Sequence, residues 1–164
     1  MAITTLSQLD MRAVRQTIAA VLQLPDDRVI DGNGETDVSA LDYFFSVNSV
    51  TSDLIGEERR FDGVTGTEII TSTRETLISV NAFGPNACLI IEKLSSSLST
   101  HFAQQRFKQI PAGIVRKSQI RNLPTSIAGG KEQRAQIDLT LSHIHRITAP
   151  LNRGDTVDIN LYED

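Results

Sequence analysis

The sequence predicts an α+β fold, with a mixed and mainly antiparallel sheet, helices packed on one face of it, and an extended β-hairpin. Apolar residues recur every three or four positions after residue 10 and again after Gly84-Pro85, which predicts helices. Other long stretches alternate apolar and polar residues or are rich in Thr, Ile and Val, which predicts strands. With 164 residues, the chain fits one domain covering residues 1–164.

The first predicted helix begins near Ser7 and ends at about Gln23. Ser7 and Asp10 form a variant of the capping box. An apolar stripe at helical spacing follows, consisting of Met11, Val14, Ile18, Val21 and Leu22. Pro25 disfavours helical backbone at the residue before it, so the helix is expected to end there.

An extended hairpin is predicted next. One strand covers about residues 41–51 and a second covers Thr67–Phe83. Between them lies the segment GEERRFDGVTG, whose charges and glycines are typical of an exposed connection. We therefore expect two long strands joined by a charged excursion.

Two more helices are predicted in the middle of the chain. Pro85 is expected at the first helical position, where its missing N–H carries no cost. The buried stripe of this helix is Ala87, Ile90, Ile91, Leu94 and Leu98. Thr100 is expected to cap a short helix that carries Phe102 and Phe107 and ends before Pro111.

Three β segments are predicted to complete the chain, over residues 113–121, 132–147 and 155–162. The middle segment has the clearest alternation, with Ala135, Ile137, Leu139 and Leu141 directed inward. Because the next apolar residue, Ile144, comes three positions after Leu141, we predict a β-bulge at residues 142–143.

Composition argues against several classes of protein. No apolar run is long enough to span a membrane, and the N-terminus lacks the pattern of a secretory signal, so we expect a cytoplasmic protein. The single cysteine, Cys88, lies in an apolar helical segment and is predicted to be a small core residue. A net charge of −4 with interspersed signs, and only 5% aromatic residues, argue against a nucleic-acid binder.

His143 and His145 are the strongest candidates for a metal site, because residues two apart on a strand point to the same side. The only other histidine, His101, lies on a predicted helix, and no acidic residue is clearly placed to complete a ligand set. We therefore predict no metal site, and expect both side chains on an exposed face beside the bulge.

Other motifs are incomplete. Residues 31–37 space oxygen ligands as a calcium loop does, but Thr36 occupies the position that needs glycine. Gly129-Gly130-Lys131 resembles the end of a phosphate-binding loop, without the Ser or Thr that follows the lysine. No serine lies in a G-x-S-x-G elbow. We predict no catalytic, cofactor-binding or metal-binding residue, and no cofactor.

Arg59 and Arg60 are the only residues that we select as a candidate site. Adjacent arginines in the excursion between two long strands are well placed to contact another subunit or a partner protein, although such pairs are usually solvated surface residues.

The order of elements in the C-terminal half carries a family resemblance. A core helix and a short aromatic helix are followed by GIVRKSQIRNLP, by KEQRAQIDLTL, by a polar turn and by DTVDINLY. This order, together with the N-terminal helix, resembles the tail-terminator or neck-terminator proteins of long-tailed bacteriophages. The closest positions, residues 121–124 and 134–139, are strand residues, so no binding role is carried over to them.

The resemblance implies a structural virion protein that is assembled in the host cytoplasm. It implies a homo-hexameric ring at the head-proximal end of the tail, which stops polymerisation of the tail tube and joins the tail to head-completion or connector proteins. It also implies that DNA passes through the lumen without specific binding, and that no membrane is involved.

Two alternatives remain open at this point. One is a small cytoplasmic enzyme or ligand-binding domain, which a deep apolar pocket with converging polar groups would favour. The other is a different phage neck or baseplate adaptor that is built on the same ring principle.

Overall fold

The computed structural model describes residues 2–152, in which three helices pack on one face of a curled, mostly antiparallel sheet. The α+β prediction is therefore confirmed. The helices are α1 (Met11–Leu22), α2 (Ala87–Ser97) and α3 (His101–Gln109). The strands are β1 (Thr4–Ser7), β2 (Val29–Asp31), β3 (Phe44–Asp62), β4 (Thr67–Phe83), β5 (Ala112–Lys117), β6 (Arg121–Asn122), β7 (Thr125–Ile127), β8 (Gly130–Glu132) and β9 (Arg134–Pro150).

The main sheet has the order β1-β9-β4-β3-β2, and β5 and β6 also pair with β9. Only β2 and β3 are parallel among its pairs; β7 and β8 form a separate small hairpin. β9 therefore contacts β4 along one edge and three short strands along the other. It is the central strand of the described fold.

The core lies between the helices and one face of the sheet, which we call the inner face. Alternate residues of β4 and β9 point into it, because successive side chains of a strand point to opposite faces. The fully buried members include Ile78, Val80, Ile137 and Leu139 from the sheet and Ile18, Ile91 and Leu94 from the helices. The opposite, outer face is polar at the same level, with Ser79 and Asn81 on β4.

The helix boundaries agree with the sequence analysis, but two of the three predicted N-termini are corrected. Asp10, not Ser7, caps α1, and its carboxylate accepts hydrogen bonds from the backbone N–H groups of Arg12 and Ala13. Ser7 belongs to β1, a strand that was not predicted because Leu6 is the one apolar residue among its four and no alternation is visible. Pro85 precedes α2 rather than starting it; Asn86 is the N-cap residue.

Helix α3 is capped by Thr100 as predicted, and its side chain accepts a hydrogen bond from the backbone N–H of Ala103. Phe107 is buried in the core, whereas Phe102 is exposed. The prediction that both aromatic rings belong to the helix is confirmed, but only one of them packs inward. Cys88 is partly buried and packs against the core, in agreement with its predicted role.

The strand predictions are corrected at three places. The predicted strand over residues 41–51 is in fact β3, which continues to Asp62, so most of the charged excursion is strand rather than loop. The predicted bulge at residues 142–143 is absent, since β9 pairs with β4 without a register shift from Arg134 to Pro150. The predicted strand over residues 113–121 is shorter and is divided into β5 and β6, and the one over 155–162 lies outside the described residues.

The connection between β2 and β3 is held by Arg28. Its guanidinium donates to a carboxylate oxygen of Asp42 at 2.5 Å and to the backbone oxygen of Tyr43 at 2.9 Å, and it lies over the Tyr43 ring. Gly84 packs against the same segment with a φ of +112°, and a Cβ there would lie 2.7 Å from the backbone oxygen of Asp42. Only glycine fits this position without strain.

Candidate assembly surface

A long arm of sheet extends beyond the helices. It consists of residues 49–62 of β3, 67–76 of β4 and 142–150 of β9, with β1 alongside β9. Fourteen residues of β3 at about 3.3 Å each make the arm roughly 45 Å long. Every residue of β3 from Ser49 to Phe61 is exposed. The β3 strand of the arm is therefore exposed to solvent over almost its whole length.

One edge of the arm has no partner strand. β2 pairs with β3 only from Phe45 to Val47, and within residues 2–152 no strand pairs with the outer edge of β3 beyond that point. The unpaired backbone N–H and C=O groups of such an edge can hydrogen-bond to a strand of another chain. The edge is therefore a candidate docking surface.

Two irregularities interrupt the pairing of β3 with β4. The register shifts between Ser49 and Thr51 and again between Leu54 and Gly56, so Val50 and Ile55 are the extra residues. Bulges of this kind bend a strand and increase its twist. They also oppose indiscriminate edge-to-edge pairing, which favours a partner whose shape fits the bent edge.

The tip of the arm is a tight, well-bonded turn. One Asp62 carboxylate oxygen accepts hydrogen bonds from the backbone N–H groups of Val64 at 2.9 Å and of Thr65 at 3.4 Å. A hydrogen bond with the Thr65 side chain, these two backbone bonds and the nearby charge of Arg60 hold the pKa of Asp62 below its usual value. The carboxylate form therefore stabilises the turn at neutral pH.

Arg59 and Arg60 lie on opposite faces of the arm. Arg59 is opposite Ile70 and Arg60 is opposite Ile69. Residues opposite each other in register share a face, and alternation along β4 places Ile70 on the inner face with Ile78. Arg59 therefore points to the inner face, where its guanidinium lies 3.4 Å from a Glu57 carboxylate oxygen, and Arg60 points to the outer face. The two arginines cannot act as one patch.

Large apolar side chains are exposed along the same strand and its turn. They are Val50, Leu54, Ile55, Phe61 and Val64, each at least half exposed. Where such side chains form a contiguous patch, they are typical of protein-binding sites. Sequence reasoning missed them because the two bulges break the alternation that would have shown a strand.

A groove of about 530 Å³ lies at the base of the arm on its inner face. It is lined by Leu9 and Met11 at the start of α1, residues 49–52 of β3, Arg74 and Thr76 of β4, and His143 and His145 of β9. Its lining combines apolar side chains, hydroxyl groups, two imidazoles and the Arg74 guanidinium, and no carboxylate of residues 2–152 is among them.

His143 forms the wall of this groove that is nearest the core. The residue is 8% exposed, its Nε2 atom lies 2.7 Å from the Thr76 hydroxyl, and its buried Nδ1 atom has no hydrogen-bond partner among residues 2–152. Burial lowers the pKa of His143 below 6.5, and the positive charges of Arg74 and His145 act in the same direction. The imidazole is therefore neutral at pH 7.

A family model described as phage neck terminator protein matches residues 11–164 of the chain. The chain belongs to the phage neck terminator family. No curated protein is detectably similar to it. Membership makes it a structural protein of the tail neck of a phage, which interacts with other tail and head proteins of the particle. The resemblance stated from the sequence is thereby confirmed.

The structure of this neck terminator protein shows where each motif considered in the sequence analysis lies. His143 and His145 share the inner face, but His143 is buried, so the prediction that both are exposed is wrong for His143. Within residues 2–152, no three His, Cys, Asp or Glu side chains are grouped so that they could hold a metal ion.

The Asp31 carboxylate accepts a hydrogen bond from the backbone N–H of Asn33 at 2.9 Å, as in an ordinary turn. Gly129 lies in the turn between β7 and β8, and Gly130 is the first residue of β8.

No helix among residues 2–152 of the neck terminator protein is long and apolar enough to cross a membrane.

Proposed function

We propose that the protein assembles as a hexameric ring at the head-proximal end of the tail, where it stops polymerisation of the tail tube. In this proposal, residues 1–164 form one domain, and the ring joins the tail to head-completion or connector proteins. The tail tube protein and the neighbouring copies are its partners. DNA passes through the lumen of the ring without being bound specifically.

The observation that carries the proposal is the unpaired edge of β3 along the arm. A ring requires a head-to-tail contact, in which one surface of each copy meets a different surface of the next. An exposed strand edge is one such surface, since it gains backbone hydrogen bonds when a neighbour covers it. The five exposed apolar side chains of the arm add the hydrophobic contact that a specific interface of about 1,000 Å² or more requires.

Arg59 and Arg60 are proposed to contact another subunit or the tail tube. Their positions on opposite faces support two separate contacts instead of one. Arg59 would meet a partner over the inner face of the arm, and Arg60 one over the outer face. An arginine in a desolvated interface contributes far more than the same residue in solvent.

The proposal includes no catalytic activity, no cofactor and no specific nucleic-acid contact. The net charge of −4 suits a conduit through which DNA passes, because phosphates are repelled rather than held. In the groove the Thr76 hydroxyl lies beside His143, but no carboxylate of residues 2–152 lines the groove to orient the imidazole, as a catalytic triad would require.

Electron microscopy of purified tails, with symmetry analysis of their head-proximal end, tests the proposal. Six copies in a ring at that end are expected. A ring with a different number of copies, or the protein elsewhere in the particle, would contradict it. Tails assembled without this protein should be over-long or unable to join heads, and tails supplied with the wild-type protein should have normal length.

A further inference from the structure

A second strand edge of the main sheet is open, at the end opposite to β3. β5 pairs with β9 on one side, and within residues 2–152 no strand pairs with its other side. Two grooves of about 250 and 210 Å³ lie along β5 between the strand and the helices, and Leu98, Gln104 and Ile114 line both. An open edge with pockets beside it accepts an added strand, whose backbone pairs with the edge and whose alternate side chains enter the pockets.

The two open edges run in opposite directions, as a head-to-tail contact between antiparallel strands requires. β3, β4, β9 and β5 are joined by three antiparallel pairs, so β5 runs opposite to β3. When a second copy is placed beside the first in the same orientation, its β3 lies antiparallel to β5 of the first copy. The sheet then continues with its inner faces on the same side, and each copy uses two different surfaces.

The neighbouring short strands limit the register of such a pairing. β2 occupies the edge of β3 up to Val47, and β6 follows β5 along β9, so β6 of one copy must lie beyond Val47 of the next. The β9 partners of Lys117 and Asn122 are four residues apart. With the inner faces matched, the first register that keeps β6 clear of β2 places Lys117 opposite Leu54 and Asn122 opposite Ser49.

The extra residues of the two strands coincide in this register. β5 has one extra residue, Val115, where its register with β9 shifts. Ile55 is the extra residue of β3 at the same level, so residues 112–117 and 54–59 match from end to end. Because a bulge bends its strand, two edges that bend at the same level can stay in contact along their length.

The charges of the two edges are complementary in the same register. On the outer face, Arg116 lies opposite Gly56, and its two neighbours on β3 are Asp53 and Glu58. On the inner face, Lys117 has Glu57 as a diagonal neighbour. Opposite charges in such cross-strand positions stabilise a pair of strands.

Asp53 has no cationic partner in its own chain. It lies opposite Glu75 across β3 and β4, and like charges in opposite positions are destabilising. Among the residues that the structure describes, Asp53 forms no ion pair, whereas Glu75 pairs with Arg116 at 3.3 Å. The Arg116 side chain remains 68% exposed, so it can also meet a carboxylate of a neighbouring copy.

We propose that residues 54–59 of β3 in one copy pair with residues 112–117 of β5 in the next copy, antiparallel and with the inner faces on the same side. The contact covers Leu54, Ile55 and Val115, which are otherwise exposed. This inference rests on the proposed function, because it assigns the contact between neighbouring copies of the ring. Two β3 edges paired with each other would instead bring the acidic residues of both copies together.

Disulfide trapping in purified tails tests this pairing. In a Cys88→Ala background, Gly113→Cys is combined with Glu58→Cys, because these positions lie opposite each other across the contact. Within one chain they are three strand spacings apart, about 14 Å, so a disulfide can form only between copies. An immunoblot of a non-reducing gel should show multimers of the double variant and monomers of each single variant.

The matched control is Gly113→Cys combined with Glu57→Cys. Glu57 is the adjacent residue of β3 and points to the inner face, whereas Gly113 points to the outer face. Multimers of this control should form at least about tenfold more slowly, because the two thiols project from opposite faces of the sheet. Equal rates would overturn the proposal, and so would dimers of Glu58→Cys alone, which indicate that two β3 edges pair.

The result is separable from the test of the ring itself. If microscopy shows six copies at the end of the tail but the double variant stays monomeric, the edge contact is wrong and the proposed function stands. Multimers that end at a number other than six would support the edge contact and contradict the hexamer.

A charge exchange provides a second readout without added cysteines. Glu58→Arg and Arg116→Glu should each lower the yield of rings at least about fivefold, since each places like charges across the contact. The two changes combined should restore the yield, because the pair is re-formed with its charges exchanged. A combination that assembles no better than the single variants would overturn the pairing.

Discussion

The Thr76 hydroxyl lies 2.7 Å from Nε2 of His143, across the paired strands β4 and β9, at the point where the core ends and the arm begins. On the core side, Leu141 is fully buried; on the arm side, His145 is partly exposed. The hydrogen bond between these two side chains lies at the boundary between the core and the groove. Its stability depends on the protonation state of the imidazole.

The protein should lose stability as the pH falls from 7 to about 5.5. The pKa of His143 is lowered in the folded protein, whereas in the unfolded chain it is about 6.5. The unfolded state therefore takes up the proton more readily, so the stability contribution is present above pH 6.5 and is lost as the pH falls through the folded value. The charged or titratable groups beside it, Arg74 and His145, are both cationic when protonated and reinforce this direction.

Urea unfolding at several pH values measures the effect, and His143→Gln is the matched control. The variant should be less stable at pH 7, yet its unfolding free energy should change less between pH 7 and 5.5. An unchanged pH dependence in His143→Gln would mean that another group causes it.

Thr76→Val should destabilise the protein by about 1 to 3 kcal/mol, because it removes the hydroxyl and leaves the His143 ring without a hydrogen-bond partner. Thr76→Ser keeps the hydroxyl and should lose clearly less. Thermal or urea unfolding at pH 7 measures both. If the two variants were equally destabilised, lost packing of the methyl group would be the cause.

Gly84→Ala should cost about 2 kcal/mol or more, because the residue has a φ of +112° and its Cβ would lie 2.7 Å from the Asp42 backbone oxygen. Gly113→Ala is the control, since a Cβ there meets no atom within 4 Å. That change should stay within about 0.5 kcal/mol. Equal effects in urea unfolding would contradict the packing of Gly84 against the segment that Arg28 holds.

Asp10→Ala should cost about 1 kcal/mol, because two backbone N–H groups at the start of α1 lose their acceptor. Ser7→Ala should change the free energy of unfolding by less than about 0.5 kcal/mol, as its hydroxyl makes only one long bond, 3.4 Å, to the Ile144 oxygen. If chemical unfolding showed that Ser7→Ala destabilises the protein more than Asp10→Ala, Ser7 would be the N-cap residue of α1.

Arg59→Glu and Arg60→Glu should each leave the stability of the isolated subunit within about 1 kcal/mol, since both side chains are solvated there. Because they face opposite sides of the arm, their effects on assembly should differ in kind. Ring formation and tail length are measured separately for each variant. Normal rings, normal tail length and normal infectivity in both variants and in the double variant would show that the two arginines of the arm are ordinary surface residues without an assembly contact.

Much of the fold could be predicted from the sequence because its core elements follow simple periodicities. The bounds of β4, Thr67–Phe83, are as predicted, and Ala135 to Leu141 point inward as their alternation indicates. The bulge prediction failed for a physical reason. The inward position after Leu141 is occupied by His143, which is buried but polar. Because only apolar residues were counted, the alternation seemed to break at a point where the strand continues.

Less of the candidate site could be predicted. Arg59 and Arg60 were selected as a pair because the segment was taken for a loop, in which neighbouring side chains can share a surface. In a strand they alternate. Apart from Phe61, nothing in GEERRF favours a strand by propensity; the segment is a strand because it pairs with β4, where Ile69 and Ile70 lie opposite the two arginines. That dependence on a distant partner is not visible in a local pattern.

Because β9 is the central strand, the subunit cannot complete its sheet until late in its synthesis. β3 and β4 are complete once Phe83 has been made, but the strand that joins β4 to β1, β5 and β6 ends at Pro150. At about 5 to 20 residues per second, the ribosome needs roughly 3 to 13 s to make the intervening chain. During that interval the free edge of β4 and the edge of β3 beyond Val47 are open, so nascent subunits on one messenger are exposed to premature pairing. The two bulges in β3 oppose such edge-to-edge pairing at this stage, before the subunits assemble.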